Sequence, residues 1–367
     1  MLGQFVLTCH AFRMETFFLL AGFFSRLIYE KRGGLEFLKS RLIRLGVPFV
    51  AGWFVIHPLI VASHVMASLE GSAGHRLHEG LATELTLGPH VMRGVFTQTH
   101  LWFLYYLLII TSVVLAAWKV IATHSVKGSD PQKNLDRVTP WLSRSRWSLP
   151  LLILITAGLI IKMRMWGVDT PDASLRPMIL VMGLYGLFFA VGWLFATQPP
   201  LLETFARLTF LRGVTVVVAI VATLFSSRFQ GFRNHAIARA AHVGFAIGYA
   251  TMAWCLALLT IGIFRRYLRS PRFWPRYLAD ASYWIYLVHL PLIVLMQAAL
   301  LPSPWHWTLK LSVVVFVAMI ASIVTYDLFV RSTAIGWLLN GHKKEPALFR
   351  RLFHKRSSRD AVSDACR

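Results

Sequence analysis

Long apolar runs separated by shorter polar connections are the dominant pattern along this chain. Nine such runs carry few charges, and most approach the roughly 20 residues that an α-helix needs to cross a bilayer. They cover residues 10–29, 46–66, 101–121, 148–163, 178–196, 212–227, 241–264, 281–301 and 309–330. The pattern predicts an all-α, polytopic transmembrane helical bundle with about nine spans. Runs 148–163 and 212–227 are the shortest, so we expect one of them to be tilted, extended by its neighbours or re-entrant.

Composition favours a membrane protein over a soluble domain. The 367 residues are 56% hydrophobic and only 15% charged, whereas soluble domains are about one quarter charged. The sequence contains no metal-ligand spacing and no glycine-rich phosphate loop. We therefore expect no metal ion and no bound cofactor.

The net charge of +22 would suit nucleic acid, but the basic residues follow a different pattern. They concentrate in alternate connections: Lys31, Arg32, Lys39, Arg41 and Arg44 in the first, Lys127, Lys133, Arg137, Arg144 and Arg146 in the third, and Arg265, Arg266, Arg269, Arg272 and Arg276 in the seventh. This alternation is the positive-inside signature. It predicts that the odd connections and the C-terminus are cytoplasmic, and it argues against a nucleic-acid partner. The sixth connection, with Arg228, Arg233 and Arg239, fits the rule poorly.

The charge pattern also divides the chain. We expect a transmembrane domain over residues 1–340 and a basic cytoplasmic tail over residues 341–367 that contacts anionic lipid. With this topology residue 1 lies outside the cytoplasm without a preceding signal sequence. The sequence therefore predicts a further span upstream of Met1.

Ionisable side chains within apolar runs are costly, so they are the first candidates for chemistry. His10 and Arg13 are three residues apart, which places them on one helical face at the predicted outer end of the first run. Histidine exchanges a proton near neutral pH, and arginine binds an oxyanion or a carboxylate through paired hydrogen bonds. The pair suits acyl transfer, and an interfacial cluster that reaches water is an equal alternative. Glu15 points elsewhere, and we expect it to pair with a basic residue on another span.

Two more histidines stand beside apolar runs. His100 precedes the third run, where a structural role is the stronger alternative. His289 lies about eight residues, or roughly 12 Å, into its run and therefore near mid-bilayer. Pro291 removes one helical hydrogen bond nearby, and the freed carbonyl needs a partner from a neighbour or a water-filled cavity. The combination predicts a polar cavity, against the alternative that His289 is a neutral histidine bonded to a neighbouring helix.

Arg41 and Arg44 lie on one helical face just before the second run. Arginine side chains bind phosphate through paired hydrogen bonds. Membrane anchoring by the positive-inside rule is the stronger interpretation of this stretch taken alone.

Four stretches resemble, in order and spacing, the acyltransferase 3 family of integral membrane acyltransferases, and most closely its branch that succinylates periplasmic glucans. They are HAFRMETFFLLAGFFS from residue 10, RLIRLGVP from residue 41, THLWFLYYLL from residue 99 and DASYWIYLVHLPLIV from residue 280. The resemblance extends from residue 10 to about residue 330. Glu15 departs from it, because that position usually holds an apolar or amide residue.

The resemblance implies an enzyme of the bacterial inner membrane that transfers a succinyl or acetyl group from cytoplasmic acyl-CoA to a carbohydrate hydroxyl. It implies catalytic roles for His10, Arg13, His100 and His289, with a histidine as general base and Arg13 holding the acyl carboxylate or the oxyanion. It also implies an additional early span with an essential Arg and His, which would precede Met1. Donor phosphates would bind Arg41 and Arg44.

Alternatives remain open from the sequence. A transporter or flippase of a glycan or acyl precursor also needs a polar path and a kinked helix. An inactive relative that lacks the first span is another. His10 and His100 are predicted near the outer face and His289 near mid-bilayer, so we expect no single rigid triad unless a cavity crosses the bilayer.

Overall fold

The computed structural model describes residues 2–68, 99–124, 145, 147–171, 175–231, 235–268 and 273–341. All regular structure within these residues is helical, which confirms the predicted all-α class. The α-helices are α1 (Leu2–Arg32), α2 (Gly34–Arg41), α3 (Val47–Ser68), α4 (Trp102–His124), α5 (Ser148–Ile161), α6 (Ile179–Thr197), α7 (Pro199–Phe205), α8 (Phe210–Ser227), α9 (His235–Tyr267), α10 (Phe273–Leu300), α11 (Trp307–Thr325) and α12 (Ala334–Asn340). A 3₁₀ turn covers Thr99–Leu101, and π-helical turns cover Leu42–Gly46 and Tyr326–Val330.

Eight helical segments among the described residues are long and apolar enough to cross a membrane. They are Gln4–Arg32, Gly34–Ile60, Trp102–Ile121, Ile179–Thr197, Phe210–Ser227, Ala236–Tyr267, Phe273–Leu300 and Trp307–Val330. The predicted number of nine is thus corrected to eight and one shorter apolar helix, α5. With 14 residues, α5 is about 21 Å long, which is less than the hydrocarbon thickness of about 30 Å.

Several helices start earlier than the apolar runs that predicted them, and α9 and α10 bear most on the site and the pocket. α9 begins at His235 rather than at residue 241, and α10 begins at Phe273 rather than at residue 281. The extra turns carry charged residues such as Arg239 and Arg276, which lower the hydropathy without breaking the backbone hydrogen bonding of the helix. Hydropathy therefore marked the apolar part of each helix and not its whole length.

The chain forms two compact units. The first comprises residues 1–40 and 102–270, and the second comprises residues 41–101 and 271–367. The tail beyond residue 341 and most of the second and third connections lie outside the described residues. The sequence predictions for those segments stay predictions.

Close packing of α1 against α6 forms the centre of the first unit. A Cβ atom at Gly22 would collide with the Phe189 carbonyl, and one at Gly192 would collide with the Leu19 carbonyl. Small residues allow this approach of two backbones in membrane helices. The contact thus fixes the position of α1 within the first unit.

Contacts within the first unit show which connections share a side. The ring of Trp166, in the fourth connection, stacks on His242 near the start of α9, with centroids 5.0 Å apart. At the other ends of these helices, Arg265 forms an ion pair of 3.2 Å with Glu203 of α7, in the fifth connection. The fifth and seventh connections therefore lie on one side and the fourth and sixth on the other. This alternation agrees with the predicted order of the loops, including the sixth, whose charges fitted poorly.

The second unit is organised around α10, which packs against α3 and α11. Trp284 of α10 donates a hydrogen bond from Nε1 to Thr325 Oγ1 at 3.0 Å. Tyr277, two turns earlier in the same helix, donates a hydrogen bond to the buried Asp327 carboxylate at 3.2 Å. These contacts hold α10 in place, and α10 carries the histidine of the candidate site.

Candidate active site

The 3₁₀ turn Thr99–Leu101 places His100 against α10. Leu101 is fully buried and packs on Gly52 of α3, where an added Cβ atom would lie 3.3 Å from Leu101 Cδ1. The Tyr286 hydroxyl donates a hydrogen bond of 2.6 Å to the His100 carbonyl oxygen. The turn is thus held from both sides, and the imidazole of His100 has a defined position.

A proline in α10 provides the acceptor for the His100 side chain. Pro291 has no N–H group, so the carbonyl of Leu287, four residues earlier, loses its intrahelical donor. His100 Nε2 lies 3.1 Å from that oxygen. The predicted need for a partner near Pro291 is thus met by a side chain of another element.

This hydrogen bond sets the tautomer of His100. A carbonyl oxygen can only accept, so Nε2 carries the hydrogen, and in a neutral imidazole Nδ1 then holds the lone pair. Nδ1 of His100 is buried and has no hydrogen-bond partner among the residues that the structure describes. Unpaired buried acceptors are rare because desolvation is costly. The Nδ1 atom is therefore a candidate acceptor for a substrate proton.

His289 lies beside His100 and has the opposite tautomer. The two ring centroids are 5.5 Å apart, and the rings are nearly perpendicular at 88°. His289 Nδ1 lies 2.7 Å from the Tyr286 carbonyl oxygen and 3.1 Å from that of Ile285. Nδ1 therefore carries the hydrogen, and in the neutral ring the lone pair is on Nε2. The site thus contains two imidazoles of opposite tautomer.

Burial keeps His100 neutral. The pKa of His100, which lies in the turn before the Trp102–Ile121 span, is lowered to about 4, first because burial disfavours the charged form and second because positive charge on His289 repels it. At neutral pH the imidazole is therefore uncharged and able to accept a proton.

The close contact of the two histidines corrects the expectation that they lie at different depths. That expectation counted the depth of His289 from residue 281, but α10 begins at Phe273. His289 is therefore 16 residues, or about 24 Å, from the start of the helix. The turn of His100 contacts Leu287, so the two imidazoles meet near the middle of this 28-residue helix.

Arg41 and Arg44 belong to the same unit as the histidine pair. Arg44 lies in the π-helical turn, and its carbonyl accepts a hydrogen bond of 2.6 Å from the Tyr283 hydroxyl. Its guanidinium packs against Gly341, which has a φ of +80° and leaves no room for a Cβ atom. Both arginine side chains are half-buried, and their charges interact. Since Tyr283 precedes His289 by six residues, the arginine turn contacts α10 about 9 Å along the axis from the histidines.

His10 and Arg13 belong to the first unit. His10 is half-buried, Arg13 is exposed, and the charge of Arg13 acts on the imidazole. Glu15 is buried, and within the described part of the chain its Oε2 atom has no hydrogen-bond partner. The predicted salt bridge of Glu15 to another span is therefore absent there. The catalytic roles of His10 and Arg13 stay predictions.

Two residues of the histidine site had no assigned role in the sequence. Tyr286 was part of a motif, but only the structure shows that its hydroxyl and its carbonyl hold both histidines. The Leu287 carbonyl had a readable signal, since Pro291 stands four residues after it. Its partner could not be found in this way, because His100 is 187 residues distant in sequence.

The fold and the site define a polytopic membrane protein with a close pair of histidines, His100 and His289. Comparison with known proteins places this class in a family. A model described as the Acyltransferase domain (acyltransferase 3) matches residues 2–327. The chain therefore belongs to this family, and it is a membrane enzyme that transfers acyl groups. Family membership favours an enzyme over the transporter alternative.

Individual relatives are similar over most of their length. Glucans biosynthesis protein C of Escherichia coli O9:H4 (strain HS) and of Escherichia coli (strain K12 / DH10B) are each 26% identical to the chain over 343 residues. The matched region covers 90% of this chain and 82% of each relative. No solved structure gives a significant match.

Proposed function

We propose that the chain is an O-acyltransferase that moves a succinyl or acetyl group from cytoplasmic acyl-CoA to a carbohydrate hydroxyl, such as that of a periplasmic glucan. It would be a multi-pass protein of the bacterial inner membrane with a cytoplasmic C-terminus. The name of its relatives, which refers to glucan biosynthesis, supports a glucan acceptor. Family membership supports an acyl donor.

The observation that carries the proposal is Nδ1 of His100, which has no hydrogen-bond partner within the described part of the chain. A carbohydrate hydroxyl would donate its hydrogen to Nδ1, and its oxygen would attack the thioester carbonyl carbon. His100 would take the proton as the carbon–oxygen bond forms, and the Nε2 hydrogen bond to Leu287 would stabilise the resulting imidazolium. When the intermediate collapses, the carbon–sulfur bond breaks and the leaving thiolate takes the proton from His100. No net proton is consumed.

His289 would orient the acceptor. Its lone-pair nitrogen Nε2 would accept a hydrogen bond from the acceptor, while the Tyr286 carbonyl fixes the ring through Nδ1. Such positioning lowers the barrier because the reacting atoms are already close and aligned.

Arg41 and Arg44 would hold the donor. Guanidinium groups bind the phosphates of acyl-CoA through charge-assisted hydrogen bonds. The Tyr283 contact links their turn to α10, the helix that also carries His289. Donor and acceptor groups would thus be arranged along one helix of the second unit.

Membranes from cells that express the full chain can test this function. Succinyl-CoA and acetyl-CoA, each with an isotopic label in the acyl group, are supplied separately with periplasmic glucan, and ester-linked label on the glucan is measured. We expect transfer from one of the two donors, and none in membranes from cells without the chain. Equal label in both membranes would contradict the proposal, as would glucan label that is insensitive to mild base and so is not an ester.

A further inference from the structure

A cavity of about 590 Å³ opens at one end of the first unit and is lined by charged side chains. We name it the arginine pocket; its lining residues are Glu203, Ala206, Arg207, Leu208, Gly262, Arg265 and Arg266. Three arginines face one glutamate, which leaves a formal charge of +2. None of these residues is used in the proposed acyl transfer.

The walls of the arginine pocket are held in place by two contacts. Gly262 lets α9 approach the turn after α7 closely, because a Cβ atom there would collide with the Ala206 carbonyl. Arg212 donates hydrogen bonds to the carbonyls of Phe205, Arg207 and Thr204, the last two at 2.8 and 3.1 Å. The backbone that carries Arg207 is therefore fixed before any ligand binds.

One arginine of the pocket is paired with Glu203, and the other two have weaker contacts. Arg265 forms the ion pair with Glu203 described above, and both side chains stay solvent-accessible. Arg266 lies 5.8 Å from the Tyr267 ring centroid, while Arg207 projects from the turn as an exposed side chain. Two cationic groups are thus available to an anion, next to a carboxylate that can accept a hydrogen bond.

Exposed apolar side chains are close in sequence to the residues that line the arginine pocket. Phe210, at the start of α8, is 89% exposed, and Leu211 is 73% exposed. Phe264 and Tyr267, at the end of α9, are 58% and 64% exposed. These side chains mark the ends of two membrane-spanning helices, where lipid headgroups meet acyl chains.

We infer that the arginine pocket binds the headgroup of an anionic phospholipid with a hydroxylated headgroup. The phosphodiester would accept hydrogen bonds from Arg207 and Arg266, and a headgroup hydroxyl would donate to the Glu203 carboxylate. The acyl chains would lie against the exposed apolar side chains at the ends of α8 and α9. A singly charged phosphodiester fits this mixture of charges better than the several phosphates of a nucleotide, which Glu203 would repel.

Lipid retention by the purified full chain can test this inference. The protein is reconstituted in mixtures of phosphatidylglycerol and phosphatidylcholine, and retained lipids are counted by native mass spectrometry. We expect at least about a tenfold preference for phosphatidylglycerol, which is lost in the triple variant Arg207→Gln, Arg265→Gln, Arg266→Gln. The triple variant Lys31→Gln, Arg32→Gln, Arg276→Gln removes the same charge from exposed sites outside the pocket, and we expect it to keep the preference. Equal loss in both triple variants would overturn the inference.

Glu203→Gln is expected to increase lipid binding, whereas the arginine variants decrease it. A misfolded protein would not show such an increase. Removing the carboxylate releases Arg265 and raises the pocket charge, so we expect binding of dioleoylphosphatidic acid, which has no headgroup hydroxyl, to increase severalfold. An unchanged or weaker binding of this lipid would contradict the charge assignment. Coenzyme A is added in a parallel arm. If it displaces phosphatidylglycerol from the wild-type protein but not from the pocket triple variant, the pocket binds nucleotide phosphates and the lipid inference is wrong.

Discussion

The backbone carbonyl of Leu287 determines which nitrogen of His100 can act as a base. Sequence reasoning could identify this carbonyl from Pro291 and could mark His289 as an unusual residue at membrane depth. It could not join them to His100, because that contact depends on how a 3₁₀ turn meets the middle of α10. Both the fold class and the residue types of the site were therefore predictable, while the tautomers were not.

At this scale His289→Asn separates a catalytic contact from a packing role. The Asn amide N–H lies near the position of Nδ1 and can still donate to the Tyr286 carbonyl, but the lone pair at Nε2 is lost. We expect kcat to fall about a hundredfold, with a larger rise in KM for the glucan than for the donor. Initial rates at matched membrane abundance give both constants. Wild-type rates in a folded variant would assign His289 to packing.

The lowered pKa of His100 predicts the acid limb of the pH profile. The base is active when neutral, so kcat/KM should stay constant down to about pH 5 and fall with a midpoint near 4. An unperturbed histidine would give a midpoint near 6.5. Folded stability also falls below about pH 6.5, because the unfolded chain binds the proton more tightly. Return to pH 7 must therefore restore activity; a reversible midpoint near 6.5 would exclude His100 as the base.

At the scale of elements, α10 links the parts of the site. Apolar runs predicted its centre, but the charged first turns were excluded, because a hydropathy pattern cannot register helical hydrogen bonds made by residues such as Arg276 and Asp280. The missing turns moved the predicted depth of His289 and separated it wrongly from His100. The position predicted for His289 therefore depends on where α10 begins.

Pro291→Ala tests the link between helix and imidazole. Alanine restores the N–H donor to the Leu287 carbonyl, which then competes with His100 Nε2. We expect α10 to be at least as stable, while kcat falls between about ten- and a hundredfold because His100 loses its fixed tautomer. The rate of the double variant with His100→Gln checks the mechanism. It should match that of His100→Gln alone, and an additive loss would show that Pro291 acts elsewhere.

The π-helical turn with Arg41 and Arg44 should act on the donor alone. Replacing both with Gln removes charge-assisted hydrogen bonds to phosphate, so we expect KM for acyl-CoA to rise at least about tenfold with little change for glucan. Arg276→Gln is the control, since this exposed arginine also lies in the second unit. If the double variant lowers only the amount of protein in the membrane, the arginines are anchors.

At the scale of the whole molecule, the side of the membrane on which each connection lies stays a prediction, and contacts in the first unit test only which connections share a side. The Arg265–Glu203 ion pair and the Trp166–His242 stack group the connections of the first unit as the positive-inside rule predicted. Charge counts were ambiguous for the sixth connection because it carries Arg228, Arg233 and Arg239 although the alternation groups it with the weakly basic connections. Side-chain contacts between loops resolved this, which no local pattern could do. The fifth and seventh connections, which share a side, supply the three arginines of the proposed lipid pocket.

The activity of His100→Gln tests the central claim most directly. The Gln amide can keep the hydrogen bond to the Leu287 carbonyl in place of Nε2, but it has no counterpart of the unpaired Nδ1. Labelled acyl transfer to glucan is measured for the full chain beside His306→Asn, a control histidine at which Asn can still cap α11. We predict that His100→Gln lowers kcat by about 10² to 10⁴, while His306→Asn has the wild-type rate. Wild-type transfer by a folded His100→Gln protein would contradict the assignment of His100 as the base.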